Sequence, residues 1–252
     1  MPYSKAHKAQ TRARILVEAA HAFREEGIEG VGIPAVMGRA GLTHGGFYAH
    51  FPTKDALVAE ACATGFADAE ERLFQGAAQG EPEDALRAII IGYLSRKHRD
   101  DPATGCMIPA LATEIARAPQ ETRAAFTQAL TEYARQLSAY FPSASDTHAD
   151  AAPANAANAA NAAPTNDAHG AHHAHGALDA ANAANAANAE IDANPAAQRE
   201  DDALVLLAGM AGAMLLARAV DDPEVSHRIL KAARTFYLQA FDNPTAPTAT
   251  TS

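Results

Sequence analysis

The sequence lacks the features that hold small secreted proteins together or carry a chain through a membrane. Its 252 residues include only two cysteines, Cys62 and Cys106, which cannot build a disulfide framework and fit a reducing compartment. The most apolar stretch, residues 203–217, is too short for a membrane span, which needs about 20 residues. The first residues contain no apolar signal-peptide core. These absences predict a cytoplasmic protein that does not span a membrane.

Positive charge is also scarce. Lys and Arg number 20 against 30 Asp and Glu, which gives a net charge of −10, the opposite of what a nucleic-acid-binding protein usually carries. The distribution is uneven, however, because residues 1–14 contain Lys5, Lys8, Arg12 and Arg14 and no acid. The chain has no metal-binding motif, phosphate loop or nucleophile elbow. We therefore expect neither an enzyme nor a protein with a cofactor or a metal.

Residues 42–54 have the features of a short helix that contacts DNA. Phe47 and Phe51 are four residues apart and would face inward together, Thr43 is a good N-cap, and Pro52 marks the end. The helix has about two turns and two glycines, a weakness that a sequence accepts where another molecule must approach the backbone. Its outward face carries small or polar side chains and no acid: Thr43, His44, Gly45, Gly46, Tyr48, Ala49 and His50.

The preceding segment completes a motif. Residues 33–40 predict a short helix with Pro34 near its first position, and Gly41 begins a tight turn before the second helix. Two short helices joined by a glycine turn are the helix-turn-helix pattern. The run from Gly41 to Phe51, followed by residues 53–57, resembles the DNA-binding domain of TetR-family transcriptional regulators. The resemblance covers about residues 9–66.

The resemblance implies an all-α fold of about nine helices. It implies an N-terminal helix-turn-helix domain, residues 1–52, and a helical ligand-binding and dimerisation domain, residues 53–241. It also implies that Tyr48, His50 and Lys54 contact DNA phosphates. Gly32 departs from the family pattern, because it stands where a Ser or Thr usually caps the first helix of the motif.

Apolar residues at helical spacing predict the remaining helices. The expected spans are residues 12–26, 53–75, 83–99, 108–117, 119–141, 201–217 and 223–241. In resembling proteins the fourth to seventh helices enclose a ligand pocket, although an aromatic stripe such as that of residues 126–140 fits a core equally well. Residues 203–217 are apolar on all sides and should be buried on all sides, with Gly209 letting another helix approach. The family dimerises through its last two helices, here about residues 201–241.

Residues 142–198 differ in composition from the rest. They repeat Asn-Ala-Ala and contain few large apolar residues, so burial cannot offset the entropy of ordering them. We expect a disordered insertion, and disorder also in residues 3–8, which either contact DNA phosphates or remain solvated, and in the tail 242–252. Four histidines in the insertion could bind a divalent metal, but a flexible loop must be ordered at each binding event, so no metal site is predicted: His169, His172, His173 and His175.

Cys106 has two interpretations. It lies between Gly105 and the predicted start of the sixth helix, where the helix dipole would lower the pKa of a thiol. It is either a sensor of electrophiles or oxidants that is coupled to DNA release, or a small buried apolar residue.

The sequence thus predicts a ligand- or stress-responsive DNA-binding transcriptional regulator. We expect a repressor that binds an inverted-repeat operator as a homodimer and is released by a small-molecule or thiol-reactive effector. The alternative is a helical sensor or scaffold dimer that no longer binds DNA, which Gly32 and the net acidity favour.

Overall fold

The computed structural model describes residues 5–77, 81, 84–141 and 194–242. Within these ranges it contains ten helices and no strand, which confirms the all-α prediction. The helices are α1 Lys5–Glu26, α2 Ile33–Arg39, a 3₁₀ helix His44–Ala49, α3 Lys54–Ala77, α4 Ala85–Tyr93, α5 Arg96–Asp100, α6 Met107–Ile115, α7 Gln120–Ser138, α8 Pro195–Ala219 and α9 Pro223–Asp242.

The described residues between 5 and 141 and between 200 and 242 belong to one compact unit. A second unit covers residues 142–199, of which the structure describes the start of α8. That helix begins at Pro195, so residues 195–198, which the sequence assigned to the disordered insertion, are helical, because proline suits the first turn of a helix. Residues 142–193, with the four histidines, and the tail after Asp242 lie outside the described residues.

The first helix is longer than predicted. It begins at Lys5 rather than at residue 12, so Lys5–Lys8 are helical. Its end is as expected, because Gly27 has a φ of 78°, a left-handed conformation that favours glycine. A Cβ atom at this position would lie 2.6 Å from Oε1 of Glu114 in α6. Gly27 is therefore needed both for the turn and for the approach of this carboxylate.

The core runs through both predicted domains. Phe23 of α1 is fully buried, as are Phe47 and Phe51 around the 3₁₀ helix. Between α3 and α7, Phe66 packs on Phe126 at 5.3 Å between ring centroids. Residues 126–140 thus contribute to the core, as their spacing suggested. Burying each such ring stabilises the fold by roughly 1.5–3 kcal/mol.

The helix predicted for residues 83–99 is interrupted. It divides into α4 and α5 at Leu94 and Ser95, which raises the helix count from nine to ten. Ser95 is extended, and its hydroxyl accepts a hydrogen bond from the backbone N–H of His98 at 3.1 Å. The His98 ring contacts the Tyr93 carbonyl oxygen at 2.7 Å. These two local bonds end one helix and begin the next, as Ser commonly does at an N-cap.

The expectation that α8 is buried on all sides is wrong for the single chain. Its inward face, which includes Leu206 and Met210, is buried, whereas Val205 is 63% and Leu216 54% exposed. The close approach expected at Gly209 is confirmed, because a Cβ atom there would overlap the Tyr237 hydroxyl of α9. The helix is long and apolar enough to cross a membrane, with a mean hydropathy of 1.6 over 18 residues, but its buried face belongs to the protein core.

Candidate nucleic-acid interface and interior cavity

The second helix of the motif is a 3₁₀ helix, His44–Ala49, rather than the expected α-helix. Its hydrogen bonds span three residues, from Gly46 N to Thr43 O and from His50 N to Phe47 O. Thr43 has the extended conformation of an N-cap, but its hydroxyl makes no capping bond, so that part of the prediction is wrong. Two glycines and a length of six residues leave too little helix propensity to hold an α-helical ladder.

Two phenylalanines fix this helix to the core. Phe47 and Phe51 are both 0% exposed, and their rings stack 5.8 Å apart. The Tyr48 ring packs edge-on against Phe47 at 5.2 Å, although Tyr48 itself is 65% exposed. The aromatic anchor therefore holds the base of Tyr48 while its hydroxyl end projects into solvent.

The remaining predicted contact residues lie on the surface that this anchor exposes. Thr43, His44, Gly45 and Ala49 are exposed, and Gly46 and His50 are half-buried. A Cβ atom on Gly45 would meet no other atom within 4 Å, so internal packing does not require glycine there. The surface can thus accept a partner close to its backbone.

Basic side chains of α1 adjoin this surface. Burial lowers the pKa of His50, and the charges of Lys8 and Arg12 lower it further. The Nδ1 atom of His50 is buried without a hydrogen-bond partner. Arg12 lies 4.3 Å from the centre of the Phe51 ring and pairs with Glu60. The acid-free start of the sequence indicated this basic region, but the sequence did not show that it flanks His50.

Lys54 is held within the protein at the start of α3. Its ammonium donates a hydrogen bond to the carbonyl oxygen of Ile28 at 2.6 Å, so it braces the turn between α1 and α2. Thr53 caps α3 as expected, since its hydroxyl accepts from Ala56 N at 3.0 Å. An ammonium has three donors, which leaves Lys54 able to bind a phosphate as well.

The cap of α2 is as weak as the sequence indicated. Gly32 occupies the N-cap in an extended conformation and makes no side-chain bond. At the other end, Arg39 pairs with Glu25 and Glu26, each at 2.5 Å, and so ties α2 to the end of α1. The motif is oriented by these contacts and by buried Met37, which lies under Gly46.

A cavity of ≈ 890 Å³ lies among α3, α4, α5, α6 and α7. Its wall includes apolar residues such as Ala69, Leu73 and Ile91, and the buried residues Tyr93, Tyr133 and Cys106. The helices that form it are those that the resemblance placed around a pocket. Tyr133 belongs both to the core and to the cavity wall.

Cys106 is 3% exposed and caps the start of α6. Burial raises the pKa of its thiol, and the nearby Tyr93 hydroxyl, Arg218 and Arg24 only partly oppose this. The expectation that the helix dipole would lower this pKa is therefore wrong, because desolvation of the thiolate outweighs the dipole. Cys62 is also buried, which raises the pKa of its thiol to about 12.

His98 connects Cys106 to α4. Its Nε2 accepts a hydrogen bond from the backbone N–H of Cys106 at 2.9 Å, while its Nδ1 bonds the Tyr93 carbonyl. This pairing requires the neutral ring with its proton on Nδ1. Burial lowers the pKa of His98 to about 4. A Cβ atom on Gly105 would lie 2.8 Å from the His98 ring, so glycine is needed beside it.

Comparison with known proteins finds a family match at the start of the chain. Residues 15–61 match the family model of bacterial regulatory proteins, tetR family. No curated protein gives a significant match.

Several solved structures share the fold. A TetR-family regulator from Agrobacterium tumefaciens superposes with a TM-score of 0.58 at 18% identity, covering 93% of this chain and 98% of its own. One from Chloroflexus aurantiacus gives 0.57 at 21% identity, with 92% and 96% covered. The reduced form of E. coli NemR gives 0.56 at 19% identity, with 90% and 94% covered.

The structure and the comparisons agree on a helix-turn-helix at the start of the chain and on a helical fold in the other described residues. Residues 15–61 thus match the tetR family of bacterial regulatory proteins, and the described fold is similar to that of TetR-family regulators.

Proposed function

We propose that this regulator is a repressor that binds an inverted-repeat operator as a homodimer and leaves it when an effector occupies the interior cavity. The observation that carries the proposal is the exposed surface of Thr43, His44, Gly45, Gly46, Tyr48, Ala49 and His50, anchored from below by two buried phenylalanines. Such a surface fits the major groove, where exposed side chains reach base edges and flanking ones reach phosphates.

The last two helices supply the proposed dimer contact. Val205 and Leu216 of α8 and Phe236 of α9 each expose more than half of their surface in the single chain. Large apolar residues exposed together on neighbouring helices favour burial against a partner. A two-fold dimer would repeat the DNA-binding surface and so read two inverted half-sites. The site of action is then the cytoplasm.

The cavity supplies the proposed control. Cys106 in its wall begins α6, and Glu114 near the end of the same helix accepts hydrogen bonds from Ile28 N at 2.9 Å and Glu29 N at 3.1 Å. One helix thus touches both the cavity and the turn that precedes α2. An effector that shifts α6 would change the orientation of the motif, as a two-state regulator requires.

A thiol-reactive effector acting at Cys106 is a second trigger within this proposal. Its burial and raised pKa disfavour a resting thiolate, so such an effector must enter the cavity first. The Cys106→Ser protein should keep its DNA affinity and lose any release by oxidants or thiol reagents. If Cys106→Ser is released by these reagents as the unmodified protein is, Cys106 is not the sensor.

Salt-dependent DNA binding separates the repressor from the alternative, a scaffold dimer that no longer binds DNA. The affinity of the purified protein for duplex DNA should fall steeply with salt concentration, because bound phosphates release counterions. Gly32 and the net charge of −10 favour the alternative. Binding that is absent at low salt would establish it.

A further inference from the structure

The lining of the interior cavity indicates the chemical class of the effector, an inference that rests on the proposed function. Within the described part of the chain, the charged residues that line the cavity are Arg72, Lys97 and Asp101. Asp101 is already engaged, because its carboxylate accepts a hydrogen bond from the Thr104 hydroxyl at 2.6 Å. Arg72 pairs with Asp68, whereas no carboxylate among the residues that the structure describes pairs with Lys97. The lining therefore has an excess of positive charge in a protein whose net charge is −10.

Two further cations, Arg24 and Arg218, lie near the cavity but do not line it. Arg24 is buried and shares Asp68 with Arg72, so one carboxylate serves two guanidinium groups. Arg218 donates to the carbonyl oxygens of His98 at 2.6 Å and Arg99 at 3.1 Å. Both guanidinium groups act electrostatically on Cys106. The buried end of the cavity is thus electropositive, and in this low-dielectric region such a field is only weakly screened.

A hydrogen-bond donor at the same end has only a weak acceptor. Tyr93 is 2% exposed and lines the cavity, and among the described residues its hydroxyl finds no partner other than the Cys106 thiol, a weak acceptor. Burying a hydroxyl without a strong acceptor costs free energy. A ligand that supplies an acceptor there removes this cost.

The rest of the wall is apolar. The apolar lining includes Ala69, Leu73 and Ala77 of α3 and Ala88 and Ile91 of α4. Such a wall favours a hydrocarbon or aromatic body and offers it no specific hydrogen bond.

We infer that the effector is an apolar monoanion, a hydrophobic carboxylic acid whose carboxylate accepts a hydrogen bond from Tyr93 in the field of Lys97, Arg24 and Arg218. Fatty acids and aromatic acids share this chemistry. A neutral or cationic ligand of the same shape would leave the positive charge uncompensated.

Matched probes test this. Decanoate and 2-naphthoate would each be compared with the corresponding primary amide and primary amine by calorimetric titration of the full chain. We expect each acid to bind with at least about tenfold higher affinity than its amide, since a hydrogen bond to a charged group is stronger than one to a neutral group. Whether decanoate or 2-naphthoate binds more tightly distinguishes a fatty-acid effector from an aromatic-acid effector.

Two variants locate the effect. Lys97→Gln should weaken acid binding several-fold and leave amide binding unchanged, whereas the control Arg123→Gln, an exposed charge on α7 outside the cavity, should change neither. Tyr93→Phe should weaken acid binding while leaving the thermal midpoint nearly equal or higher, because its hydroxyl loses at most a weak contact with the Cys106 thiol. A merely structural role for Tyr93 would lower the midpoint instead.

Equal or tighter binding of the amides or amines, or no binding of any probe, overturns the inference. So does acid binding that Lys97→Gln leaves unchanged. DNA binding without any probe is measured in parallel. If the protein without a probe does not bind DNA, the proposed repressor function is wrong. The acid selectivity of the cavity is tested by the titrations alone.

Discussion

Tyr48, His50 and Lys54, the three residues expected to contact phosphates, are held in different ways. Tyr48 projects from an aromatic anchor, burial and two neighbouring cations lower the pKa of His50, and Lys54 is bonded to a backbone carbonyl. Tyr48 is therefore free to donate to a phosphate at once. A phosphate near His50 would raise its pKa and so favour the charged form.

Removing the Lys54 ammonium tests its contact. Lys54→Ala should weaken binding to specific and random duplexes alike, since phosphate contacts carry no sequence information. It should also reduce the slope of log affinity against log salt by roughly 0.9 per phosphate and per subunit. The matched control is Arg123→Ala, which removes an exposed charge from α7. Because Lys54 also bonds Ile28, unfolding is measured for both variants, and an unchanged salt slope contradicts the contact.

Changes at His44 should act on sequence preference instead. His44 is exposed on the outward surface and does not pack into the core. His44→Ala should cost about 1–3 kcal/mol at particular base pairs and relax the preference there. Binding of duplexes mutated at single positions measures this, and a uniform loss across all of them would assign His44 to the phosphate backbone.

His98 predicts a pH dependence of stability. Its pKa is lowered to about 4 in the folded protein, below the usual 6.5, so the unfolded chain binds more protons between these values. Stability from this residue is complete above about pH 6.5 and is lost as the pH falls toward 4. Urea unfolding at pH 7.5 and pH 5 should show this loss, and His98→Gln should reduce the difference between the two pH values. An equal difference in both proteins would assign the loss to other groups.

At the scale of elements, helices were predicted correctly where apolar periodicity is strong. Their ends were predicted wrongly where local hydrogen bonds compete with the backbone hydrogen bonds of the helix. The predicted spans of α2, α6, α7 and α9 lie within three residues of those observed. Periodicity did not show the break at Ser95, which depends on a hydroxyl cap, nor the 3₁₀ form of His44–Ala49. Helix stability grows with length, so the conformation of such short elements is set by packing against neighbouring elements rather than by their own propensity.

The contact between α6 and the turn after α1 was not visible in the sequence, because Glu114 and Ile28 are far apart along the chain. Glu114→Ala should lower the free energy of unfolding by about 1–3 kcal/mol, since two backbone donors lose a charged acceptor. Glu121→Ala, at the start of α7, is the control and should cost less. Chemical denaturation measures both, and equal losses would show that the Glu114 contact adds nothing.

At the scale of the whole molecule, the all-α fold and the outward surface could be predicted from the sequence, and the resemblance implied a pocket among the fourth to seventh helices. The charged and polar groups at that cavity could not be predicted, because they come from helices that meet only in the fold. The exposed face of α8 in the single chain was also not predicted, because the sequence of this helix is apolar on all sides and does not show which side is buried.

That exposed face predicts a dimer that one charge can break. Val205→Glu should yield a monomer, because a carboxylate would be buried without a partner at the contact. Gln120→Glu adds the same charge at an exposed position on α7 and should leave the dimer intact. Sedimentation velocity distinguishes the species, and a Val205→Glu dimer would place the contact elsewhere.

Selection of DNA by the purified protein tests the central claim most directly. Random duplexes would be enriched on the unmodified protein and, in parallel, on Val205→Glu. The account predicts an inverted repeat whose half-site centres lie about one helical turn or more apart, and a weaker, single half-site preference for the variant. Selected sequences without a dyad, or no enrichment at any salt concentration, would contradict the operator-binding repressor.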